Sequence, residues 1–368
     1  MQLCKFCNET NGSAFEIGNC YICEDNVMET DNMIERGTEL LSKEKISSFS
    51  ISTIISKDWQ TREEKIWDIK TSKAESIKNA LNRKIVAEIR KKIKLSYEPD
   101  GEIRVVFDYK TKEVYIKKNE LFIFGRYRKI NPGLSQSRWT CPKCKGDGCA
   151  QCENKGKYYE SVEERIGEPL KTITTAKDYV MHASGREDVD ATNSAGRGFV
   201  IELKEPEIRE IDLANIKSKI AESKDVEVDD LKIVRRGFME IVTESHFDKS
   251  YEAEVEFGRE VSENDLKKIR ELEGKTILQQ TPNRVAHRRA NLVRHRKIKS
   301  ITMERLEGNR ATITVMAEAG TYIKELISGD KGRTKPNIAE LFETIAVCKK
   351  LEVTKIDDGF LDFCLATQ

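Results

Sequence analysis

The chain has 368 residues, 38% of them hydrophobic and 35% charged, with a formal net charge of +1. That length fits two or three domains with sizeable cores. No run approaches the ~18 consecutive apolar residues of a membrane span, and Met1-Gln2-Leu3-Cys4 lacks the basic and apolar regions of a secretory leader, so a cytoplasmic protein with no membrane partner is expected.

In chain order, Cys4-x-x-Cys7 and Cys20-x-x-Cys23 come first. Zinc takes four thiolates in a tetrahedron. One CxxC turn supplies two of them and a second closes the site. The apolar positions Ala74, Ile77, Leu81, Ile85, Ile89 and Ile93 then recur at helical spacing. Short strand-like runs follow at Ile103–Tyr109, Val114–Ile116 and Leu121–Phe124, the first two spaced as a hairpin. Asn131-Pro132-Gly133 breaks the pattern.

A second cluster, Cys141, Cys144, Cys149 and Cys152, has Gly146 and Gly148 inside it. Glycine lets the backbone wrap closely around an ion. In a chain of this size without an export signal, such pairs point to metal rather than disulfides. Both sets would be saturated and therefore structural, with two zinc ions expected. Reduced or redox-active thiols are the bland alternative, and the spacing leaves open whether pairs from the two clusters cross.

Gly185-Arg186-Glu187-Asp188-Val189-Asp190-Ala191 leads into Phe199-Val200-Ile201 and Leu203, which read as a buried strand. A carboxylate on a loop entering a core strand suits a nucleophile or base, although a charged turn reads the same way. Lys249-Ser250-Tyr251-Glu252-Ala253 begins another strand-like run. Ser262-x-x-Asp265 reads as the cap of a helix carrying Leu266, Ile269 and Leu272. Arg284, Arg288, Arg289, Arg294, Arg296 and Lys297 form a basic stretch with no acid. It is either a solvated face or a grip on phosphates. Ile298–Leu306 and Ala311–Met316 read as a hairpin. Gly320-Thr321-Tyr322-Ile323-Lys324-Glu325-Leu326 reads as a loop entering a helix, followed by Gly329-Asp330-Lys331-Gly332-Arg333-Thr334.

The order GRED, then KxYxA, then GTYIK resembles motifs I, II and III of the pseudouridine synthases. It is most similar to the archaeal-type tRNA pseudouridine synthases of family ten, associated with uridines 54 and 55 of the TΨC arm. Leu121–Lys129 with Arg138-Trp139 resembles the end of that family's THUMP-containing RNA-binding region. The resemblance spans roughly residues 120 to 345 and implies an α+β fold. It divides the chain into a zinc knuckle (1–26), a THUMP-containing region (27–140), a second four-Cys cluster (141–157) and a catalytic domain on a mixed or antiparallel sheet (158–368).

The resemblance implies Asp188 as the catalytic carboxylate, Tyr251 packing on the target base, and Lys324 as the basic residue paired with Asp188. It also implies Arg186, Tyr322, Arg284, Arg288, Arg289 and Arg333 as RNA contacts. The partner would be tRNA, acted on by a monomer with no nucleotide cofactor and no catalytic cofactor. Two other classes stay open: a non-catalytic tRNA-binding or chaperone protein of the same fold, and a THUMP-bearing methyltransferase or thiolase. The latter would need a Gly-rich cofactor loop after a strand, and none is found.

Overall fold

A computed structural model describes residues 1–69, 75–286 and 289–367. Ala74, His287 and Arg288 lie outside the described residues. The chain divides into two compact units, Met1–Glu120 and Leu121–Gln368.

The first unit opens with β1 (Gln2–Leu3), α1 (Lys5–Thr10) and β2 (Glu16–Ile17), where β1 and β2 pair in parallel. Then follow α2 (Thr30–Ser42), β3 (Ser48–Ile54), α3 (Lys57–Ile69), α4 (Ile77–Lys92), β4 (Ser96–Tyr97), β5 (Ile103–Asp108) and β6 (Glu113–Lys118). The sheet order is β4-β3-β5-β6. The helical stripe is the buried face of α4: Ile77, Leu81, Ile85 and Ile89 pack with Phe49, Val105 and Phe107 of the sheet. The hairpin forms between β5 and β6. Cys4, Cys7, Cys20 and Cys23 belong to the same buried cluster, so the knuckle is part of this core.

The second unit contains β7 (Leu121–Lys129), α5 (Val162–Thr174), β8 (Asp178–Ala183), β9 (Thr192–Lys204), α6 (Leu213–Ala221), β10 (Val226–Val234), α7 (Arg236–Glu244), β11 (Lys249–Phe257) and α8 (Glu263–Lys268). It continues with β12 (Thr276–Gln280), β13 (Val293–Arg305), β14 (Arg310–Ala317), α9 (Ile323–Ser328), β15 (Thr334–Lys335), α10 (Ile338–Leu341), β16 (Ala346–Ile356) and α11 (Gly359–Ala366). The strands form one mixed sheet in the order β10-β7-β9-β16-β11-β14-β13-β12-β15, with β8 also on β9. This is the expected α+β class.

Both faces of the sheet are covered. Phe199, Ile201 and Leu203 of β9 join one core with Ile123 and Tyr127 of β7. Val200 joins the other with Phe124, Phe238 and Val242. Burying such a side chain contributes about 1.5–3 kcal/mol, and two covered faces explain the unbroken apolar run.

β9 is the pivot of the sheet. Along one edge it pairs with β7. On the other edge, Thr192 and Asn193 pair in parallel with β16, whereas residues 199–204 pair with β8. The sheet forks there, and loop 184–191 leaves β8 and enters β9 at the fork.

The sequence division needs one correction. Leu121–Lys129 is no part of the N-terminal region. Its strand is hydrogen-bonded between β10 and β9 in the second unit, which also holds the second Cys cluster. Its basic residues are consumed internally. Arg126 pairs with Asp230, Asp358 and Asp362, and Arg128 with Asp229. Among the described residues no helix is long and apolar enough to cross a membrane.

Candidate active site and metal centres

Loop 184–191 is built around its buried side. Gly185 has φ +95°, and a Cβ there would lie 3.0 Å from Arg197 Nη1. Only glycine combines that backbone with that approach. Glu187 turns inward: its Oε2 lies 2.6 Å from Arg197 Nε, with both side chains almost fully buried. The two atoms meet as an ion pair rather than as an aligned hydrogen bond. Tyr127 OH donates to Glu187 Oε1 at 2.6 Å, Arg197 Nη1 donates to Ser184 O, and Gln136 Nε2 donates to Tyr127 OH and Gly185 O.

With Glu187 buried, Arg186 and Asp188 turn to a cavity of about 350 Å³. Asp188 Oδ1 accepts from Arg284 Nη1 at 2.7 Å, and Oδ2 lies 3.5 Å from Lys324 Nζ. Burial alone pushes the Asp188 carboxyl up, but Arg284 and then Lys324 outweigh it and hold the group below the usual carboxylate range. Lys324 is closer to the exposed Asp190, at 2.5 Å. The expected Lys324 pairing is therefore the looser of two. Arg284, expected on RNA, is the direct partner, itself held through Nε by the buried Glu325 at 2.7 Å. Three acids that spacing could not rank thus have three environments: Glu187 structural, Asp190 solvated, Asp188 half-buried between two cations.

Tyr251 stands on β11 facing the same cavity, and burial pushes its hydroxyl up to about 12. Lys249, two residues earlier on that strand, also lines it. Burial, aided by the nearby Arg197, pushes its amine down to about 8. At the rim, Arg289 Nη1 donates to Tyr322 OH at 3.1 Å, and Arg294 lies over the Tyr322 ring at 5.8 Å. Arg289, Arg294 and Tyr322 all line the cavity. Arg333 is turned away, bonded to the carbonyl of Thr281. From Val293 the basic stretch is a strand. Arg197 drew no notice in the sequence, and Lys249 was noted only as the first residue of the KxYxA motif, with no role. A charge directly before Gly198-Phe199-Val200-Ile201 was the available signal for a buried pair.

The Cys4, Cys7, Cys20 and Cys23 sulfurs lie within 4.8 Å of one another, as do those of Cys141, Cys144, Cys149 and Cys152. Separations of 3.7 Å for Cys4–Cys23 and Cys144–Cys152 and 3.9 Å for Cys141–Cys149 match the ~3.8 Å edge of a tetrahedron with ~2.3 Å metal–sulfur bonds. Each group could hold a metal ion. Neighbouring pairs meet within their own cluster and do not cross.

Residues 122–357 match the family described as "Pus10, C-terminal". This chain belongs to the Pus10 family. A relative from Methanocaldococcus jannaschii named "tRNA pseudouridine synthase Pus10" is 38% identical over 351 residues, covering 93% of this chain and 76% of that one. A Pus10 of the same name from Archaeoglobus fulgidus is 34% identical, covering 97% and 100%. The match to a crystal structure of a Cbf5-Nop10-Gar1 complex is slighter, with 20% identity, a TM-score of 0.33, and 51% of this chain and 43% of that one covered. The Pus10 match begins at the start of β7, consistent with that strand's place in the second unit.

Proposed function

We propose that this chain isomerises uridine to pseudouridine in the TΨC arm of tRNA, at position 54, 55 or both, as a cytoplasmic monomer with Asp188 as the reacting carboxylate. Its Pus10 relatives are named tRNA pseudouridine synthases, with no position in the name, which makes a non-catalytic binder the weaker reading. The observation that carries the proposal is Asp188, held ionised by Arg284 and Lys324 at a cavity walled by Tyr251.

The reaction breaks N1–C1′, turns the base and joins C5 to C1′. C5 loses a proton and N1 gains one, so no electrons are exchanged. An ionised carboxylate serves at C1′ by adding to it or by standing beside the positive charge that develops there. The base must leave its stack, at a cost of a few kcal/mol. An aromatic face such as Tyr251 recovers ~1–3 kcal/mol of it. Arg186, Arg289 and Arg294 suit phosphate contacts at the rim, and the first unit suits a THUMP-like grip on the tRNA body.

An unmodified tRNA transcript incubated with the chain, derivatised at pseudouridine and read by primer extension, should give stops in the TΨC arm. Stops confined elsewhere would overturn the position. No stops anywhere would overturn the activity.

Both four-Cys groups are proposed to hold zinc in a structural role. Elemental analysis should find close to two zinc ions per chain, and chelation should lower the melting temperature, because metal binding and folding are linked. One ion, or iron in place of zinc, would refute the assignment.

A further inference from the structure

Lys129 is the last residue of β7, a strand whose sequence suggested RNA contact, yet the side chain is 1% exposed. Its ammonium donates to three carbonyls: Leu134 O at 2.8 Å, Asp188 O at 3.0 Å and Val189 O at 2.7 Å. A protonated lysine has three N–H donors, and here all three are used. Two of the three acceptors belong to the catalytic loop, one of them Asp188 itself. The third, Leu134, lies in a turn whose Gly133 N–H also donates to Val189 O at 2.8 Å. Lys129 therefore ties the backbone of Asp188 to both the central sheet and the 131–134 turn, whereas Arg284 and Lys324 hold its carboxylate.

We propose that Lys129 is the positioning residue of the Asp188 loop and that it performs this task only when protonated. A neutral amine has two N–H groups, so deprotonation breaks one of the three ties; Val189 O keeps the Gly133 N–H and Asp188 O the Ala191 N–H, and what is lost is the link through Lys129. The charged groups around it are Glu187, Asp190 and Asp188, which favour its charge, and Lys324, which opposes it. Burial outweighs the acids and pushes the amine down to about 8.

The sign of the linked stability distinguishes this from unfolding. The unfolded chain holds this proton at the ordinary lysine value. Between about pH 8 and ~10.4 the unfolded state then binds more protons, and this group's contribution to stability rises with pH. Activity should fall while this contribution grows.

The proposal rests on Asp188 as the reacting carboxylate, so Asp188→Asn is run in the same assay. Activity in that variant would sink the functional reading and this proposal with it, whereas a dead Asp188→Asn leaves the Lys129 results to decide this proposal alone. Lys129→Met should bind tRNA within about twofold of the unaltered chain. Its single-turnover rate should drop roughly tenfold or more, since misplacing a reacting group by ~1 Å costs up to ~10²-fold. The fall in rate through about pH 8, expected in the unaltered chain, should vanish in the variant. An alkaline fall that persists unchanged in Lys129→Met overturns the proposal and assigns the limb to another group, Lys249 being the nearest candidate. A readout that does not depend on the variant folding is hydrogen exchange in the unaltered chain. After correction for intrinsic rates, amides of residues 184–191 should lose protection as pH passes 8. Constant protection there also overturns the proposal.

Discussion

Asp188→Asn should abolish pseudouridine formation, by at least ~10³-fold in single-turnover rate, while tRNA affinity changes less than about twofold. The substitution keeps the shape of the side chain and removes the charge the chemistry uses. It leaves Arg284 satisfied, because Glu325 holds that guanidinium through Nε. Asp190→Asn should keep measurable activity: its carboxylate is 71% exposed and pairs with Lys324. An active Asp188→Asn beside a dead Asp190→Asn would move the reacting carboxylate by two residues.

The pH dependence follows from the same geometry. Asp188 sits below the usual carboxylate range, so activity should survive mild acid and fail only as pH drops through that lowered value. Removing a cation raises the value and moves the acid limb up. Arg284→Met should move it further than Lys324→Met, because the Arg284 contact is 2.7 Å and the Lys324 contact 3.5 Å. Equal shifts, or a larger one for Lys324, would reverse the assigned order of partners.

The second large effect concerns stability. Glu187→Leu should destabilise the second unit by ~3–5 kcal/mol, because it strands Arg197 as an unpaired charge. Tyr127 OH loses its acceptor in the same change. For a unit of this size the melting temperature should fall by about 10 °C. The double variant Glu187→Leu/Arg197→Met should recover much of the loss, since removing both partners leaves no orphan. A single variant that melts within ~1 °C of the unaltered chain would mean the pair contributes nothing.

Part of this molecule was legible locally. The four-Cys spacings, the Ile77–Ile89 part of the helical stripe, the β5–β6 and β13–β14 hairpins and the Ser262 cap depend on neighbours in sequence, and each appears where spacing put it, while Ile93 already lies in extended backbone past the helix end. Motif order also singled out the loop at Asp188. What escaped depends on distant pairing. Leu121–Phe124 reads as a strand in any domain. Only its bonding to β9 and β10 places it, and no local pattern records that register. Arg284 lies 96 residues from Asp188, and a basic stretch looks the same whether its first member faces phosphate or a carboxylate. Lys129 directly follows Arg128, a cation that stays partly exposed on Asp229, so its own burial had no local signature.

The two four-Cys groups have different reach. The first is woven into the core of Met1–Glu120. The second lies beyond Ser135 and Gln136, and it is closed by a bridge from Thr140 to Lys157. Gln136 is the residue that holds Gly185 O and Tyr127 OH beneath the Asp188 loop. The two proposed zinc sites therefore differ in rank. An enzyme starved of the first should keep its chemistry and lose grip on substrate, whereas one starved of the second should lose turnover as well. Under limiting metal, the relative affinities of the two sites would decide which defect a cell meets first.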